Sequence, residues 1–155
     1  MVMSFKQMIF FGIPEGISVA LFAFVLSKAE LEWKKIILIG VVLPFTAYLL
    51  RLLPITFGVH TIVYMGVLFF MLNRSGNVDI MSSTLNSIIT MLTLIILEVV
   101  TSLGIMNLFK ISPVEIEKNI LLNMLVFYPH VIIMFILSYI LRIKGWVNNG
   151  LFKNQ

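Results

Sequence analysis

Five apolar runs, each close to the length of a bilayer crossing, constrain this chain more than anything else in it. A transmembrane helix needs about 20 predominantly apolar residues to cross a hydrocarbon layer about 30 Å thick. The runs fall at about residues 8–27, 36–53, 59–72, 80–109 and 119–141. Hydrophobic residues make up 60% of the chain and charged ones 12%, against about 45–50% and about 25% in soluble domains. A soluble globule of 155 residues has no interior large enough for that much apolar surface. The expected fold is therefore an all-α integral membrane protein, one helical domain over residues 1–155, multi-pass in the cell membrane and in contact with its lipids.

The punctuation between the runs fits. Lys28-Ala-Glu-Leu-Glu-Trp-Lys-Lys35 is a short polar connector whose Trp33 suits the interface. Pro44 falls inside the second run, where it should kink a helix and free a carbonyl. Leu53-Pro-Ile-Thr-Phe-Gly-Val-His60 is a tight break, and the third run is short enough to be either a crossing or a re-entrant partner of the second. Asn73-Arg-Ser-Gly-Asn-Val-Asp79 reads as a turn. Ser112-Pro113-Val-Glu115 reads as a helix start, with a cap, a proline in the first turn and an acid after it. Gly12-Ile-Pro-Glu-Gly16 has small-xxx-small spacing, but its internal proline predicts a broken helix start more than a dimer face. A cleavable signal peptide is not expected, because Pro14, Glu15 and Gly16 interrupt the first run.

Basic residues set the expected orientation. Lys6, Arg51, Lys110 and Lys118 fall on one side, and Lys28, Lys34, Lys35, Arg74, Arg142, Lys144 and Lys153 on the other. The positive-inside rule places the second set in the cytoplasm, so the N-terminus is outside and the C-terminus inside. The basic residues stand singly or in pairs at the ends of apolar runs, with no basic stripe, and nucleic acid is not an expected partner.

Five ionisable residues interrupt or border the runs: Glu15, Arg51, His60, Glu98 and His130. A charge at the bilayer centre costs roughly 2.5–3.5 kcal/mol on insertion scales, so such residues usually face protein or water. With the N-terminus outside, Glu15 lies about 10 Å in from the outer end at 1.5 Å per residue. Arg51 and His60 flank an outer break, and Glu98 and His130 reach similar depths. All five are therefore expected in the outer half of the bilayer, around one outward-facing site. Each also has a plainer role. Arg51 can snorkel, His60 can sit at the interface, Glu15 can cap, and His130 can bond backbone freed by Pro129. Glu98 lies eighteen residues into an apolar stretch and has only a neutral interhelical hydrogen bond as its plain role. Asn86, Thr90 and Thr93 form a polar stripe expected to face the bundle.

Cysteine is absent, which removes disulfides, thiolate metal sites and a Cys nucleophile. No metalloprotease, nucleophile-elbow, intramembrane Asp-pair or phosphate-loop pattern occurs. The histidines and glutamates stand on separate runs without metal-ligand spacing. The expectation is no enzyme, no cofactor and no metal.

At Ile13-Pro14-Glu15-Gly16, and again at Arg51-Leu-Leu-Pro54-Ile-Thr-Phe57-Gly58-Val-His60-Thr61, the chain resembles the N-terminal membrane region of sensor histidine kinases of clostridia-type Gram-positive bacteria, which is similar to that of peptide quorum-sensor kinases. Glu98 fits the same pattern. The resemblance implies a polytopic sensor domain with an outward-facing ligand role for the matching residues. No phosphoacceptor helix or nucleotide motif follows before Gln155, so kinase activity is not implied. The leading expectation is a non-catalytic bacterial sensor or receptor-like module, with pairing to a second copy or to a separate signalling partner left open. A small transporter component or an ion or proton channel is the first alternative, disfavoured because the inner half of the bundle reads as apolar apart from the start of the fourth run. A pore-forming, holin-like oligomer is the second.

Overall fold

A computed structural model describes residues 5–51 and 59–143, without the side chains of Arg51, His60, Glu117 and Lys118. Every described element is helical: α1 Phe5–Leu26, α2 Trp33–Arg51, α3 Val59–Ser75, α4 Ile80–Phe109, the short α5 Pro113–Lys118, and α6 Ile120–Ile143. Four of them (α1, α2, α4 and α6) are long and apolar enough to cross a membrane. At 17 residues, α3 is shorter. The break at Pro54–Gly58 and the tail from Lys144 lie outside the described residues.

Helix α1 is the centre of the bundle. Of its most apolar stretch 56% is buried, against 17% to 28% for α2, α4 and α6. It packs on α2, α3, α4 and α6, while α2, α3, α4 and α6 each touch the next in that order around it. Val19, Ala20, Phe22, Ala23 and Phe24 of α1 meet Ile36, Ile39 and Leu43 of α2, Leu68 and Leu72 of α3, and Met134 of α6 in one core. The outward faces carry exposed Ile37, Val41, Phe45, Ile96, Val100, Ile132 and Ile136. Lipid is the solvent that suits such a surface.

Two glycines let α1 and α2 meet. A Cβ on Gly16 would fall on the Gly40 carbonyl oxygen and 2.9 Å from Pro44 Cδ, and one on Gly40 would fall on Ile17, 2.8 Å from its Cα. Pro44 has no N–H to offer the carbonyl four residues back, which is Gly40's. The Cα–H of Gly16 faces that freed oxygen, a weak but recurrent interhelical contact. Gly16 is thus used within the chain, which accounts for the small-xxx-small spacing without a dimer.

The start of α1 departs from the sequence expectation. It is not broken: the helix runs through a five-residue π turn, Met8–Gly12, with the Ile13 N–H reaching back to the Met8 carbonyl. Pro14 then leaves the Phe10 carbonyl without its helical donor, and Tyr128 Oη donates to that oxygen across the bundle at 2.8 Å. A wide turn plus a borrowed hydroxyl does what a break was expected to do. Tyr128→Phe is expected to lower stability by about 1 kcal/mol, measurable as a lower midpoint of unfolding in detergent.

The connectors end the helices chemically. Asp79 caps α4, its Oδ2 accepting from the Ser82 N–H at 3.0 Å. Ser112 and Glu115 form the expected capping box at the start of α5. Hydrogen bonds from the backbone and then the side chain of Ser82 hold the Asp79 carboxyl below its ordinary value, and those from Ser112 do the same for Glu115. Because both folded-state values are depressed, the stability these caps contribute is present above the ordinary carboxylate range, about pH 4, and is lost as pH falls through the lower folded values. The unfolding midpoint is expected to drop on acidification through that window, and to drop less in an Asp79→Asn/Glu115→Gln variant.

Candidate functional site

Two recesses mark the ends of the bundle. The first, a cavity of about 290 Å³, is lined by Gly12 and Glu15 of α1, Pro44 and Ala47 of α2, Thr61 and Tyr64 of α3, Met91, Leu94, Ile95 and Glu98 of α4, and Phe127 of α6. The second, a polar cleft of about 670 Å³, lies between the connector following α1 and the turn between α3 and α4, with Ser27, Lys28, Glu30, Glu32, Lys35, Asp79 and Ser82 on its walls. Helix α3 reaches both, through Thr61 and Tyr64 at one end and Ser75 at the other. The first recess lies toward the end expected to be outside and the second toward the end expected to be cytoplasmic.

The cavity brings together two of the five singled-out residues. Glu15 is half-buried and Glu98 exposed, on helices packed against each other. Pro14, just past the π turn of α1, and the glycine contact at Gly16 fix where Glu15 stands. Glu98 lies one turn beyond Leu94 on a stretch of α4, Ile95–Phe109, in which no residue is buried. Arg51 is the last residue of α2, one turn past Ala47, and His60 precedes Thr61 in the first turn of α3. Their side chains lie outside the described residues.

His130 does not line the cavity. It sits one turn further along α6, 1% exposed, its ring edge-on to Phe127 with centroids 4.7 Å apart. Neither ring nitrogen has a hydrogen-bond partner among the described residues. The plain role expected for it, bonding backbone freed by Pro129, is therefore not what it does. Thr90, fully buried on α4, likewise leaves Oγ1 without a partner. A buried polar group left so costs about 1–3 kcal/mol, and each such group asks for an explanation.

Sequence reasoning missed the aromatic part of the wall. Tyr64 heads the stripe Tyr64, Leu68, Leu72 that buries α3, and Phe127 packs on Phe11 with ring centroids 5.0 Å apart. The four-residue spacing of that stripe was the available signal. The inner half of the bundle was expected to be apolar apart from the start of the fourth run, and buried Ser83, Asn86 and Ser87 belong to that start. Ser18 of α1, Thr90 of α4 and Ser138 of α6 are buried polar residues beyond it. Of the expected stripe, Asn86 and Thr90 face inward, whereas Thr93 is half-buried and donates to its own helix at Ile89 O.

Among the described residues no three His, Asp or Glu side chains are grouped to hold a metal ion. Set against family models, curated proteins and solved structures, the chain has no match.

Proposed function

We propose that the chain is a non-catalytic, receptor-like membrane module that takes a ligand from outside into the Glu15–Glu98 cavity and passes the event on as a shift in helix packing. One observation carries this reading: all five long helices contribute to the cavity wall. A ligand seated there changes contacts on every helix at once, and only such differential contacts can move a bundle between two packings. Glu15 and Glu98 supply charge, Thr61 and Tyr64 hydrogen-bonding groups, and Phe127, Met91 and Leu94 apolar surface, the mix that small-molecule sites favour. The resemblance of Ile13–Gly16 and Arg51–Thr61 to sensor-kinase membrane regions supports the same reading, with Arg51 and His60 at the rim. In it, α3 crosses as a fifth span. Its 17 residues give about 25 Å at 1.5 Å per residue, a mismatch that a locally thinned bilayer accommodates.

The chain has no cysteine, so single introduced cysteines report without background. With a membrane-impermeant maleimide on intact cells, Ala47→Cys and Thr61→Cys are expected to label from outside. Ser75→Cys and Ser82→Cys are expected to label only once the inner face is opened. The reverse pattern would overturn the orientation, and labelling of Ala47→Cys from neither side would overturn the outward-open cavity.

A further inference from the structure

Between Ser82, on the cleft wall, and Met91, on the cavity wall, α4 carries buried polar side chains. On α4, Ser83, Asn86, Ser87 and Thr90 share one helix face and all are buried, as are Ser18 of α1 and His130 and Ser138 of α6. The inner end of this column is tied to the cleft: Asn86 Nδ2 donates to Ser27 Oγ at 2.9 Å, and Ser27 is on the cleft wall. At the outer end, Thr90 adjoins Met91 in the cavity wall, and the His130 ring packs edge-on against Phe127 of that wall. The hydroxyls along the way donate to backbone oxygens, Ser18 to Glu15 O at 2.7 Å, Ser87 to Ser83 O at 2.7 Å and Ser83 to Val78 O at 3.2 Å. Their oxygens keep lone pairs that can accept. Thr90 Oγ1, His130 Nδ1 and His130 Nε2 are buried without hydrogen-bond partners among the described residues.

We propose that this column conducts protons between the outer cavity and the inner cleft, with His130 and Thr90 as the gate between them. A buried hydroxyl and imidazole left unpaired are poor structural choices, since valine and phenylalanine would fill similar space without the penalty. They suit a relay that water enters transiently. A proton arriving from the cavity adds to one ring nitrogen of neutral His130, and the proton on the other nitrogen leaves to water against Thr90 Oγ1 and onward along α4. One proton enters and one leaves, and no other bond changes. The described groups facing the relay are Glu15 of α1, Tyr64 of α3 and Glu98 of α4 on the cavity side, where the described side chains of α2 are those of Pro44 and Ala47. On the cleft side they are Lys28, Glu30, Glu32, Lys35 and Asp79.

The test uses the full chain in vesicles with a potassium gradient, valinomycin and an internal pH dye. Proton uptake clearly above that of protein-free vesicles is expected, with no matching sodium flux. Thr90→Val and His130→Phe are each expected to cut the flux at least about a hundredfold, the lower end of what one positioned proton transfer contributes. Thr90→Val should leave the unfolding midpoint in detergent unchanged or raised, a combination that a merely structural hydroxyl would not give. Flux equal to that of empty vesicles, parental flux in the double variant, or a lowered midpoint for Thr90→Val would each overturn the proposal. None of these outcomes bears on ligand entry to the cavity, which the cysteine labelling reads separately.

Discussion

Replacing Gly16 with alanine is expected to destabilise the bundle by about 1–3 kcal/mol, the range for forcing extra atoms into a packed interior. The added methyl has nowhere to go. It falls on the Gly40 carbonyl oxygen, which belongs to backbone and cannot swing aside, and it crowds the Pro44 ring. The α1–α2 contact must open, and α1 is the helix on which α2, α3, α4 and α6 all pack. Gly40→Ala meets the backbone of Ile17 in the same way. Gly66 and Gly104 are the controls, because a Cβ at either meets nothing within 4 Å. There alanine is expected to be neutral or to stabilise by up to about 1 kcal/mol, through the helix preference for alanine over glycine. Denaturant midpoints in mild detergent, with helicity as the signal, separate the two pairs. A Gly16→Ala midpoint equal to that of the parent would mean that the helices do not meet where these glycines stand. Because both glycines act within one chain, the loss should not depend on protein concentration.

How much of this was legible beforehand depends on the reach of the physics involved. Helix placement is a local property of composition, so α4 begins at Ile80 and ends at Phe109 as the apolar run does. The cap at Ser112–Glu115 is local too, a matter of three residues. The use of Gly16 was not legible, because its partner Gly40 is twenty-four residues away and is exposed as an acceptor only through Pro44. Tyr128 poses the same difficulty, since its acceptor at Phe10 is 118 residues distant. Glu15 and Glu98 were legible as costly residues and as neighbours in depth once orientation was argued. That Thr61, Tyr64 and Phe127 complete their wall was not, because ordinary packing residues give no sign of which cavity they face. His130 was legible as polar and misread as to role, since only three-dimensional placement shows that its nitrogens have no hydrogen-bond partner among the described residues.

Glu98→Gln is expected to leave the protein inserted and folded, with an unfolding midpoint within about 1 kcal/mol of the parent, and to weaken ligand retention roughly tenfold to a hundredfold. The second figure follows from the first-contact chemistry. A hydrogen bond to a charged group is worth about 1.5–3 kcal/mol, and each 1.4 kcal/mol is about tenfold in affinity. Glutamine keeps the size and one carbonyl acceptor, and puts a neutral amide donor in place of the charge and the second oxygen. A residue retained for packing would tolerate that change, and a residue retained to meet a ligand would not. Native mass spectrometry after gentle extraction reads both quantities, the mass of any co-purifying molecule and the number of chains that carry it. Loss of that molecule with the fold intact is the expected result. A Glu98→Gln protein that retains it like the parent would remove Glu98 from the site, and one that unfolds would show the carboxylate to be a strut between helices. Glu15→Gln supplies the complementary case. If the two carboxylates hold one ligand, the double variant should lose less affinity than the two single losses added together, because groups that share a partner do not contribute independently. Additive losses would place the two carboxylates on separate ligands or on none.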